Sequence, residues 1–198
     1  MENKQLTEKE SLEIISSMIQ STQKRMIDGA GKPFLIWGYL LVAVSLSIWM
    51  LVRTTGNWAW SYLWFAPLVI GFPLMHILTH KQSSPQVTTF IDKITGHIWT
   101  IFGVSCVLVN VVAMLSSLIL GKYIDIFTFV MLLLGGALLL TGIIIKFKPM
   151  IVSGIISDII AILLLFVPDP LDIHIIFAVA MTVVMIIPGH ILNYKARK

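Results

Sequence analysis

Apolar positions dominate this chain in long uninterrupted blocks. No formal charge falls within Phe34–Val52, Trp58–Leu78, Ile98–Leu120 or Ile126–Ile145. Met150–Val167 contains one charge, Asp158, and Ile173–Leu192 contains none, only His174 and His190. Each block is about 18 to 23 residues, the length an α-helix needs to cross roughly 30 Å of hydrocarbon. The pattern predicts an all-α integral membrane bundle with spans at about 34–52, 58–78, 98–120, 124–145, 150–167 and 173–192. Residues 32–198 form the transmembrane domain on this reading, and residues 1–31 a cytoplasmic helix and linker.

A different periodicity precedes the first block. In TEKESLEIISSMIQSTQKRM, Leu12, Ile15, Met18, Ile19 and Met26 make one apolar stripe at helical spacing. Thr7 and Glu10 read as a capping box. Glu8, Glu10 and Glu13 lie early and Lys24 and Arg25 late, which suits the helix dipole. Residues 7–27 are therefore expected to be an amphipathic cytoplasmic helix, lying on the membrane or docking a protein partner. The DGAGK that follows lacks phosphate-loop spacing and reads as a joint. The polar stretch ahead of the first span is too long for a signal peptide, so the N-terminus is expected to be retained. Between spans two and three, THKQSSPQ reads as a turn, and VTTFIDKITGHI as helix leading into span three. VPDPLD reads as a tight turn before span six.

Composition and charge sharpen this frame. Of the residues, 57% are hydrophobic and only 12% charged, against about a quarter charged in soluble domains. Of the 14 Lys and Arg, all but Arg53 and Lys122 fall on one side of the expected spans. The positive-inside rule then puts both termini in the cytoplasm. The net charge of +4 is that asymmetry and gives no reason to expect nucleic acid as a partner. The tryptophans cluster near span ends as an interfacial belt. The lone Cys106 lies inside span three as a packing residue.

Two phrases nearly repeat. KPFLIWG (32–38) and KPMIVSG (148–154) each start a span from the basic side. Lysine snorkels, proline suits the first helical turn, and the glycine lets another helix approach. The paired spans also end alike, in MHILTHK (75–81) and GHILNYK (189–195). Hairpins 32–81 and 148–195 thus read as a two-span internal duplication, with convergence on a good helix start as the alternative.

Chemistry concentrates at Asp158. It falls about 14 Å past Pro149, near the expected midplane, where a carboxylate costs at least ~2.5 kcal/mol on insertion scales. It should face the bundle interior as a neutral acid, with Ser157 beside it and Asn110 and Thr182 at similar depth. That set is a candidate proton or ion site; the competing reading is a protonated acid that ties helices together. His76 and His80, four apart, with His97 and His190 in the same layer, form a weaker metal candidate. His174 stands alone on the other side. Pro67, Gly71, Pro73, Gly135, Gly136, Gly142, Pro188 and Gly189 mark helices that can bend or break. No nucleophile-and-base motif, metalloprotease motif or paired intramembrane acid is present, so no enzyme activity and no cofactor is expected.

With IWGY, the segments IIIKFKPMIVSGIISD and IIPGHILNYK resemble a group of small, uncharacterised six-span bacterial inner-membrane proteins. The resemblance implies a helical membrane fold over nearly the whole chain and transfers no functional residue. Two functions stay open: a small solute or ion translocator built on Asp158, or a regulatory or scaffold membrane protein acting through residues 7–27 and helix contacts. Small loops and a small interior suit a homo-oligomer.

Overall fold

The computed structural model describes residues 12, 16, 31–80, 90–122 and 124–196. Leu12 and Ser16 are helical; the rest of the expected 7–27 helix, the joint before residue 31 and the turn over 81–89 lie outside the described residues. The described chain is all helical. Its elements are α1 (Gly31–Thr55), a 3-10 helix (Trp58–Phe65), α2 (Ala66–His80), α3 (Phe90–Leu120), α4 (Ile126–Ile144), α5 (Lys148–Leu164), α6 (Asp172–Met181), a π-helical segment (Thr182–Ile186) and α7 (Ile187–Ala196).

Five stretches are long and apolar enough to cross a membrane: Gly31–Thr55, Trp58–Leu78, Phe90–Leu120, Ile126–Ile144 and Asp172–Tyr194. Large apolar side chains cover their outer faces, with Val69 72% and Ile119 73% exposed. Such a surface belongs in lipid, and the chain is a multi-pass membrane protein. The expected span at 150–167 is the exception. Its α-helix, α5, has 17 residues, about 26 Å at ~1.5 Å per residue. Past Leu164 the backbone tightens: Leu165, Phe166 and Val167 donate to the carbonyls of Ile162, Leu163 and Leu164. Pro168 follows, and the residue before a proline is driven from the α region.

Proline also remodels two of the spans in which breakers are expected, the second and the last. The second begins as a 3-10 helix. Asn57 caps it by accepting from the Ala59 N–H at 2.9 Å. At its other end Pro67 has no N–H to offer Leu63, whose carbonyl takes the Ala66 N–H instead. The last span carries the π segment. There the Ile187 N–H reaches five residues back to Thr182, directly ahead of Pro188.

Packing runs in two tight pairs. α1 lies along α6, the π segment and α7, while α5 lies along α4. α3 leans on α4, and α2 on α1. The core holds Met131, Leu134, Leu138, Met150, Leu164, Phe177, Met181, Val184 and Leu192. Both glycines of the repeated phrase sit at helix contacts as expected. A Cβ on Gly38 would fall 2.8 Å from Ile186 Cγ1, and one on Gly154 would fall 2.9 Å from the Gly135 carbonyl oxygen. Neither glycine faces the other helix of its own hairpin. Gly38 meets the last span and Gly154 meets α4.

Candidate functional site

The α4–α5 hairpin is joined by only a few residues, and the join fixes the seam between its helices. Lys146 adopts φ 53°, so the helix ends in a Schellman turn: Phe147 donates to Gly142 at 2.9 Å and Lys146 to Ile143 at 3.2 Å. Pro149 stands in the first turn of α5, where its missing N–H costs nothing. The two helices then run back close together. A Cβ on Gly142 would lie 2.8 Å from the Ile151 nitrogen, and one on Gly154 would lie 2.9 Å from the Leu139 nitrogen.

Asp158 sits in this seam, about ten residues or roughly 15 Å above the start of α5. Its Oδ1 is buried against Gly135 of α4, so closely that a Cβ there would overlap it. That oxygen has no hydrogen-bond partner among the described residues. Its neighbour Ser157 is fully buried and donates across the seam to the Met131 carbonyl at 2.7 Å. One residue therefore ties the helices while the next presents an unsatisfied carboxyl oxygen to the contact.

The other expected members are engaged elsewhere. Asn110 Nδ2 donates to the Cys106 carbonyl of its own helix at 2.8 Å. Thr182 donates to Ala178, also within its helix, at 2.9 Å. Thr182 does begin the π segment, which packs against α5.

Among the described residues the histidine layer is not assembled. His97 donates to the Lys93 carbonyl at 2.7 Å, and His190 shares a 2.9 Å hydrogen bond with the Tyr39 hydroxyl. His76 is exposed on α2, and the His80 side chain lies outside the described residues. Among the described residues no three His, Cys, Asp or Glu side chains gather as a metal site requires.

His174, expected to stand apart from the other histidines, packs among aromatic rings. It is buried at the start of α6, its ring 4.8 Å from Phe127 and 6.2 Å from Trp64 by centroid. Phe177 closes the cluster, 5.0 Å from Phe127 and 5.6 Å from Trp64. The His174 carbonyl accepts from buried Ser45 of α1 at 2.7 Å. Nothing in the local sequence marks this cluster, because its members come from three separate segments. The one local hint is that an amphipathic aromatic needs a partner for its polar edge when buried.

No protein-family model matches the chain, and neither a curated protein nor a solved structure matches it.

Proposed function

We propose that the protein crosses a bacterial inner membrane six times, with both termini cytoplasmic, and moves protons or a small cation across it. Asp158 is the group that takes up and releases the charge. The observation that carries this reading is the buried Asp158 Oδ1, unpartnered in a seam lined by glycine. An acid kept only to join helices would use both oxygens, since an unpaired polar atom in a dry interior is costly. Ser157 already supplies the tie. The adjoining π segment adds a polar backbone at similar depth: Pro188 lacks an N–H, and the Ile187 N–H is spent on Thr182. That leaves the Val183 carbonyl without a donor from either residue, and freed carbonyls of this kind serve ions in broken membrane helices. The sixth crossing is α5 together with its tightened last turn.

The glycine seam and the Ser157 bond favour a second reading, in which α4–α5 is a rigid strut. The protein then works as a scaffold or regulator through residues 7–27. Reconstituted vesicles with a trapped pH dye and an imposed potassium diffusion potential separate the two. Translocation predicts dye response in wild type that Asp158→Asn abolishes, together with a protonated-carboxyl infrared band, lost in Asp158→Asn, that titrates with bulk pH. A band fixed at every pH, with equal leak in both proteins, would leave the strut reading standing.

A further inference from the structure

Asp158 straddles the edge of the α4–α5 seam. On one flank of α5, Gly154, Ser157 and Ala161 are buried. On the other, Ile155, Ile159 and Ile162 are exposed. Helical spacing puts Asp158 between the two flanks, and the residue is half-buried. Of its carboxyl oxygens, Oδ1 alone is enclosed without a partner among the described residues. Oδ2 is therefore the oxygen on the open side, the one at which a charge can come and go.

A metal cation and a proton make different demands on such a group. Hard cations take about six or more oxygens at roughly 2.0–2.6 Å. A proton takes one O–H bond and no shell. On the seam side a shell has no room. A Cβ on Gly135 would overlap Oδ1 and would also lie 3.0 Å from the Gly154 carbonyl oxygen. A gap too small for a methyl group does not hold an ion with its ligands. The Ser157 hydroxyl is already committed to the Met131 carbonyl. On the open side the neighbours are isoleucines, which have no side-chain oxygen. The freed Val183 carbonyl would add a single acceptor, which suits an acidic O–H and not a shell of six.

The surrounding helices supply no substitute charge. α5 packs against α4, the π segment, α6 and α7. Neither α4 nor the π segment contains a titratable side chain. Those of α6, Asp172 and His174, lie in its first turn, and His190, Tyr194 and Lys195 follow the π segment in α7. On α5 itself Lys148 is the first residue, about 15 Å from Asp158 along the axis. A proton on the acid removes the charge that hydrocarbon accommodates poorly. On the reading of Asp158 as the carrier, on which this rests, we infer that what it carries is a proton, and that alkali and divalent metal ions do not bind there. Uptake forms one O–H bond at Oδ2 and turns the carboxylate into a neutral acid. Release breaks that bond and returns the proton to water.

Competition tests this. In reconstituted full-length protein, the protonated-carboxyl infrared band that Asp158→Asn removes is titrated against pH in choline salt. The titration is repeated with sodium, potassium or calcium ions replacing choline at constant ionic strength. A cation that binds the carboxylate competes with the proton, and each tenfold rise above its Kd would lower the midpoint by about one pH unit. The midpoint should coincide in every salt. A midpoint that falls as one cation is raised would overturn the proton assignment and leave Asp158 as a metal-cation carrier. The salt series uses wild-type protein, so it does not depend on how the variant folds. In vesicles, uptake of labelled sodium should be equal in wild type and Asp158→Asn, while the pH-dye response is lost in the variant. Sodium uptake that needs Asp158 would overturn the assignment alone. A band fixed at every pH, or a dye response equal in both proteins, would remove the translocation reading and this inference with it.

Discussion

The Asp158 carboxyl oxygen occupies the place that a Cβ on Gly135 would take, so the seam has no room there for a methyl group. An acid and a glycine from different helices therefore form one unit. Gly135→Ala should force α4 and α5 apart and cost about 1–3 kcal/mol, as overpacked cores do. Gly136→Ala is the matched control. A Cβ there meets nothing within 4 Å, so the change should be neutral or stabilising by up to ~1 kcal/mol from helix propensity. Reversible unfolding in mixed micelles measures both, and equal losses would show that the seam is looser than described.

The Ser157 hydroxyl crosses the same seam to Met131 at 2.7 Å. Ser157→Ala should cost about 0.6–1.5 kcal/mol, the range for one hydrogen bond in a membrane bundle or a protein interior. Ser153→Ala removes a bond within α5, to Pro149, and should cost less. The same unfolding assay ranks the pair.

The two copies of the repeated phrase should differ in tolerance. At Gly38 the nearest obstacle is a side-chain atom, Ile186 Cγ1 at 2.8 Å. At Gly154 backbone also blocks the way, at 2.9 Å from both the Gly135 oxygen and the Leu139 nitrogen. A side chain can rotate and a helix backbone cannot, so Gly154→Ala should destabilise more than Gly38→Ala. The reverse order would mean that the α1 contact is the stiffer of the two.

Lys146 holds a left-handed conformation, φ 53°, which costs a residue with a side chain about 1–2 kcal/mol. Lys146→Gly should therefore raise stability by about 1 kcal/mol. It also removes a cation from the basic side, so topology reporters at each loop should accompany the unfolding measurement.

Much of this bundle was legible because lipid leaves few choices. Uncharged runs marked five of the six expected spans, and KP followed by glycine marked where α1 and α5 start and where a neighbour comes close. Asp158 was singled out by the cost of its charge alone. Pairing was not legible. Most faces of each span are apolar, so periodicity does not say that Gly38 meets the last span, or that Gly135 is the surface beneath Asp158. Trp64, Phe127 and His174 are far apart in the chain, and only the folded bundle makes a cluster of them. Pro67 and Pro188 read as breakers. Whether each tightens or widens its helix depends on which carbonyl takes the orphaned bond.

The pairing of α1 with the last span has a consequence for biogenesis. α1 leaves the ribosome well before the downstream segment that becomes its main neighbour. Ser45 waits for a carbonyl 129 residues downstream. Until then α1 must persist in lipid with Gly38 and Ser45 uncovered. A chain stalled before Asp172 would show that polar, small-residue face to whatever insertase or membrane protease surveys unfinished proteins.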